Sequence, residues 1–150
     1  MRNYTYAENL MYSLPAAIAS GTLYGCAGAG KNAFVTRQDC ANAAAGALIN
    51  AARYEDTYLN VSGPEAYTYS EIGALVSEIK QQKVVYQDLS PEDFKAAIVT
   101  AGMPDMYAQL FVTIDLAVKN GEIETVTDTV EKLSGKKPIG LREFLQATLK

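Results

Sequence analysis

The strand-like runs of this chain are few and short, and this limits its fold more than any other feature. Thr22-Leu23-Tyr24, Ala33-Phe34-Val35-Thr36, Thr57-Tyr58-Leu59-Asn60-Val61 and Val84-Val85-Tyr86 carry the β-branched and aromatic residues that favour strands. Longer stretches with helical signals fill the intervals between them. Such a chain cannot build a large sheet. The pattern predicts a helix-rich α/β fold over residues 1–150, read as one domain, because no repeat, low-complexity linker or long charge run marks an internal boundary. A chain of 150 residues is long enough to bury about 68–70% of its unfolded surface, so it needs no metal or disulfide to fold.

The helices announce their ends. Tyr6 to about Ser20 reads as a helix interrupted near Pro15. Asp39 is a candidate N-cap for an alanine-rich helix running to about Arg53. Thr68-x-x-Glu71 is a capping box before the apolar stripe Ile72, Leu75, Val76 and Ile79. Ser90-Pro91 pairs an N-cap with proline at the first helical position, and that helix stops at Gly102. Tyr107, Leu110, Phe111, Ile114 and Val118 share one helical face, read as core, and Asn120-Gly121 closes that helix. Two short helices follow, one before Gly135 and one from Leu141 onward.

Charge and composition exclude several functions. The net charge of −4 argues against nucleic acid and against an anionic membrane surface. There is no histidine, so a Ser-His-Asp triad, a Cys-His pair and a histidine-bound metal are all ruled out. Acid–base chemistry must use Tyr, Lys, Asp, Glu or water. Cys26 and Cys40 form no C-x-x-C and read as reduced, semi-buried residues of a cytoplasmic protein. Leu10 to Gly30 lacks charge, but Pro15, its glycines and its hydroxyl residues leave it too polar for a membrane span. Met1 to Ala19 imitates a signal peptide, but Glu8, Ser13 and Pro15 spoil the pattern.

Gly25-Cys26-Ala27-Gly28-Ala29-Gly30-Lys31-Asn32 nearly fits a phosphate loop. The loop needs a Ser or Thr hydroxyl where Asn32 stands, and a helix directly afterwards, where Ala33 to Thr36 reads as strand. The segment therefore reads as a glycine-rich turn between two short strands.

Arg2-Asn3-x-x-Tyr6-x-Glu8-Asn9 resembles the R-N-x-x-Y-x-E-N segment of NmrA-like proteins, atypical members of the short-chain dehydrogenase superfamily. The closest similarity is to their NAD(P)H:quinone oxidoreductase branch. It continues through Thr36-Arg37-x-Asp39-x-Ala41 and Gly63-Pro64-Glu65-Ala66-Tyr67-Thr68. It ends with Ser90-Pro91-Glu92-Asp93-Phe94, Gly135-Lys136-Lys137-Pro138 and Leu141-Arg142-Glu143-Phe144. Tyr4 departs from the pattern, since many relatives carry glycine or another residue there. The resemblance implies the helix-rich C-terminal portion of an NmrA-like Rossmann-type protein, without the N-terminal dinucleotide-binding half. Met1 falls where the family has the end of a sheet strand.

By the same resemblance, Asn3 binds the cofactor or shapes the pocket floor, and Tyr4 and Tyr6 present ring faces to a quinone-like substrate. The implied chemistry is hydride transfer from NADPH to a quinone in the complete protein, with NADP not bound by this chain alone and the chain inactive alone. The alternative is a non-catalytic dinucleotide-sensing or protein-binding module. A homo-oligomer is expected, because loss of the Rossmann strands would expose sheet flank and apolar surface. For single residues, plainer roles compete. Glu8 suits the first turn of a helix, Asn9 bonds local backbone, Asp39 is a cap, and Arg37 forms an ion pair at the surface or in domain packing.

Overall fold

The computed structural model describes residues 1–150. It is α/β and helix-rich, with no strand longer than four residues. The chain divides into two compact units, each made of separated segments. One comprises Met1–Leu10, Ala33–Ala66 and Thr125–Lys150, and the other Met11–Asn32 and Tyr67–Glu124. A 3-10 helix, Ala7–Tyr12, carries the chain from the first unit into the second.

In the first unit, β1 (Arg2–Asn3) runs parallel to β4 (Asn60–Val61), with Arg2 opposite Asn60 and Asn3 opposite Val61. A single parallel bridge joins Tyr6 to Val35. Three helices belong to this unit: α2 (Arg37–Ile49), α6 (Thr129–Ser134) and α7 (Leu141–Thr148). Val35, Cys40, Ala43, Val61, Val130 and Leu133 form its core, with Tyr4, Tyr6 and Leu59 packed on them. Each buried Val or Leu here contributes on the order of 1.5–3 kcal/mol. α2 and α6 approach closely at Gly46, where a Cβ would drive into the Leu133 carbonyl.

In the second unit, β2 (Thr22–Gly25) pairs parallel with β6 (Val85–Asp88). β3 (Lys31–Asn32) pairs antiparallel with β5 (Tyr67–Thr68). Its helices are α1 (Leu14–Ser20), α3 (Tyr69–Lys80), α4 (Pro91–Thr100) and α5 (Asp105–Lys119). Cys26, Phe94 and Val112 form a core with Leu89, Ile98, Phe111 and Leu116 packed around it.

Several expectations need correction. The run Tyr6 to Ser20 is a 3-10 helix and a separate α-helix, and Pro15 lies in the first turn of α1, where its missing N–H would be unpaired anyway. Ala33–Thr36 is not a strand, apart from the bridge at Val35, and it is wholly buried. The glycine segment is not a hairpin turn, because β2 and β3 pair with different partners. Only Asn60 and Val61 of the expected Thr57–Val61 strand find a ladder. Asp39 is not the N-cap. Thr36 is, its hydroxyl accepting the Asp39 N–H at 3.1 Å and donating to Asp39 Oδ2 at 2.8 Å. On α5 the buried residues are Ala108, Val112, Asp115 and Val118, while Tyr107 and Leu110 are each 52% exposed. The buried stripe is rotated by about one residue from the most apolar one.

Candidate functional site

The residues singled out by resemblance sit together in the first unit, at the C-terminal end of β1. The ladder fixes them there. Arg2 N–H donates to Leu59 O at 2.7 Å and Tyr4 N–H to Val61 O at 2.9 Å. Val35 N–H then donates to Thr5 O at 3.1 Å, and Ala7 N–H to Val35 O at 2.9 Å. The stretch from Asn3 to Tyr6 thus leaves one parallel partner and meets another. Asn3 is exposed, and its Nδ2 donates to the Tyr6 hydroxyl at 3.2 Å. Tyr4 and Tyr6 are half-buried, with part of each ring on the core. The Asn3 amide uses one of its two donors in this bond, and Tyr6 accepts and keeps its own proton to donate.

Neighbouring side chains make contacts that hold this corner. The Glu8 carboxylate accepts the Arg37 N–H at 3.0 and 3.2 Å, at the first residue of α2. It therefore complements the N-terminal dipole of α2 while standing, as expected, in the first turn of its own 3-10 helix. The Arg37 guanidinium is not in an ion pair. It lies 5.3 Å from the Tyr6 ring centroid, a cation–π contact. Asp39 is buried and also accepts the Ile139 N–H at 2.9 Å, which ties the segment before α7 to α2.

A second polar cluster lies in the second unit, at the glycine segment. Three consecutive backbone N–H groups are taken by side chains. Cys26 N–H donates to Asp115 Oδ2 at 2.8 Å, Ala27 N–H to the Tyr86 hydroxyl at 3.1 Å, and Gly28 N–H to Asp88 Oδ1 at 2.8 Å. Tyr86 donates in turn to Asp88 Oδ1 at 2.7 Å, and Tyr69 to Asp115 Oδ1 at 2.9 Å. The Tyr69 and Tyr86 rings stack 5.6 Å apart. Donors that a phosphate would need are already bonded within the chain, and a strand, not a helix, follows the glycines. Asn32, where a phosphate loop has its hydroxyl, is buried with neither side-chain atom hydrogen-bonded.

Titration here follows burial. Burial raises the Asp115 carboxyl, against the pull of the Cys26 N–H and Tyr69 hydrogen bonds. Burial, and then the Asp115 charge, push the Cys26 thiol up to about 12. Burial and the Asp39 charge push Cys40 up to about 11. Neither cysteine is a thiolate nucleophile at neutral pH. Burial raises Tyr69 and Tyr86 as well. Sequence reasoning missed this cluster. Its one signal was Asp115 standing among apolar residues on α5.

No group of three or more His, Cys, Asp or Glu side chains is placed to hold a metal. No helix is long and apolar enough to cross a membrane.

No protein-family model matches the chain. Solved structures do. An NADPH-dependent quinone oxidoreductase from Escherichia coli, complexed with NADPH, superposes with a TM-score of 0.92 at 34% identity. That likeness covers 99% of this chain and 52% of the other. Triphenylmethane reductase from Citrobacter sp., complexed with NADP(H), gives a TM-score of 0.83 at 30% identity, over 97% of this chain and 51% of the other. The chain belongs to the NmrA-like family of atypical short-chain dehydrogenases. Among curated relatives it is 36% identical to quinone oxidoreductase 2 of Escherichia coli (strain K12) over 143 residues, which is 95% of this chain and 50% of that protein. The chain spans about half the length of the curated relatives it matches.

Proposed function

We propose that this chain supplies the substrate-side part of an NAD(P)H-dependent quinone oxidoreductase. The observation that carries the reading is the gathering of Asn3, Tyr4 and Tyr6 at the carboxyl end of a parallel strand. In open α/β folds, ligands bind in the crevice outside the carboxyl ends of such strands. The similarity to quinone oxidoreductase 2 over 95% of the chain supports the choice of reaction.

The corner fits one end of a dinucleotide and not the other. Asn3, Tyr4 and Tyr6 are uncharged and offer an amide and two rings, which suit a neutral planar nicotinamide and a quinone. The glycine segment does not fit the phosphates, since its N–H groups at Cys26, Ala27 and Gly28 are bonded to the chain's own side chains. The phosphates are therefore held by residues other than these. NADPH, when bound, supplies the hydride. Asn3 orients the reacting ring by hydrogen bonding, and Tyr4 and Tyr6 hold the quinone by offset stacking. A quinone that has accepted a hydride needs one proton to become the hydroquinone. Tyr6 donates it in this reading, which the free hydrogen of its hydroxyl supports, since that hydroxyl accepts from Asn3. Water can also serve, so the lack of histidine is no obstacle.

The test grafts these 150 residues onto quinone oxidoreductase 2 in place of the residues they match. The chimera should oxidise NADPH with a naphthoquinone, and Asn3→Ala should lower kcat/KM by about tenfold or more, the loss of one well-placed hydrogen bond. A chimera that binds NADPH without turnover would instead favour a dinucleotide-sensing module.

A further inference from the structure

The second unit holds an apolar cleft of about 550 Å³ that the proposed reaction does not use. It is lined by α1, β2 and α4, together with Tyr12 and Phe111. We propose that this cleft binds a neutral, flat, largely aromatic small molecule, at a site distinct from the Asn3 corner.

Its construction supports this. Volumes of about 300–1,000 Å³ are usual for small-molecule sites. The lining carries small residues, Ala16 and Ala17 on α1, Ala97 on α4 and Ala101 just past its end. Protein interiors are packed to the density of organic crystals, so space of this size marks lining side chains too short to close it. The remaining walls are rings. Tyr12 and Phe111 meet edge to face, with centroids 6.0 Å apart and planes at 75°. Phe94, only 6% exposed, backs the cleft from the core, and Tyr24 flanks it. Two perpendicular rings leave a flat guest a face for offset stacking and an edge for a T-shaped contact.

Charge defines the guest further. No Asp, Glu, Lys or Arg lines the cleft, and its polar side-chain groups are hydroxyls, among them Ser13, Ser20 and Thr22. A charged guest would lose hydration with nothing to replace it. A neutral ring compound with one or two hydrogen-bonding groups loses little. Tyr12 remains 66% exposed although it belongs to this lining, as an aromatic residue at the mouth of a binding site would.

The proposal is tested with N-phenyl-1-naphthylamine, a neutral probe that brightens in apolar sites, in the absence of any nicotinamide cofactor. The chain should bind it saturably at one site. Ala97→Phe should fill the cleft and weaken binding at least tenfold, and Tyr12→Ala, at an exposed position, should weaken it several-fold. Far-ultraviolet circular dichroism checks that both variants are folded. Tyr58→Ala removes an exposed ring from the other unit and should leave binding unchanged. The sulfonated analogue 8-anilinonaphthalene-1-sulfonate should bind at least tenfold more weakly. Absence of saturable binding, full binding by folded Ala97→Phe and Tyr12→Ala, or equal binding of the sulfonate would each overturn the proposal. Because no cofactor is present, these outcomes are separate from success or failure of hydride transfer.

Discussion

Asp115 shows most clearly what single residues do here. A carboxyl on α5 accepts a backbone N–H from the glycine segment and a hydroxyl from α3, so one side chain joins three pieces of chain. Asp115→Ala removes the acceptor of both groups and should cost about 2–5 kcal/mol in chemical denaturation. Asp115→Asn keeps the shape and one acceptor and should cost clearly less. The two variants also separate by pH. Burial raises the folded-state carboxyl value, so the folded chain holds this proton more tightly than the unfolded chain does. That stability is complete below the unfolded value of about 3.9 and is lost as pH rises through the higher folded value. Over that window the wild type should lose stability relative to Asp115→Asn, measured as midpoints of guanidinium unfolding. Parallel midpoints would contradict the raised value. Beyond the apolar neighbours of Asp115 along α5, none of this was legible beforehand, because an aspartate on a helix reads as solvated until its long-range partners are known. The roles proposed for Asn3, Tyr4 and Tyr6 rest on resemblance, since nothing in their types or spacing distinguishes them from the chain's other tyrosines and asparagines.

Elements were legible where their signals are local. The Thr68 capping box forms in full, with Glu71 reaching back to the Thr68 N–H at 2.7 Å. Ser90 and Pro91 begin α4, and Gly135 takes the left-handed conformation that ends α6. Strands were less legible, since a ladder depends on partners far along the chain. Thr57 and Tyr58 continue the alternation of a strand but lie outside the pairing of β1 with β4, which the Leu59 carbonyl alone of this stretch reaches. The Asp39 reading failed for a related reason: Thr36 and Asp39 both suit a cap, and only the extended backbone at Thr36 decides between them. The contact of α2 with α6 makes a prediction at this scale. Gly46→Ala improves intrinsic helix propensity by about 1 kcal/mol, yet its new methyl meets the Leu133 carbonyl. The collision should dominate, with a net loss of about 1–3 kcal/mol in the unfolding free energy. A gain in stability would mean that α2 and α6 are farther apart than described.

For the whole molecule, the exposed apolar residues point outward to association. Leu48 and Ile49 at the end of α2 are 77% and 82% exposed, Tyr58 is 80% exposed, and Met106 on α5 is 73% exposed. Lone exposed apolar residues are ordinary, but adjacent large ones favour contacts with other surfaces. The isolated chain is expected to form dimers or larger oligomers in light scattering at tens of micromolar, a range set against typical contact affinities of about 1 μM. A monomer at that concentration would contradict this expectation. Fold class was legible at this scale from the shortness of the strand runs, whereas the division into two interleaved units was not, because no linker in the sequence marks it.

The central claim is that this chain brings the reaction corner and not the phosphate-holding donors. Titrating the purified chain with NADPH, followed by fluorescence, and then adding a naphthoquinone tests it most directly. The expected result is no saturable binding and no oxidation of NADPH. Saturable binding with quinone-dependent oxidation would contradict the account, because it would mean that these residues assemble a complete cofactor site by themselves.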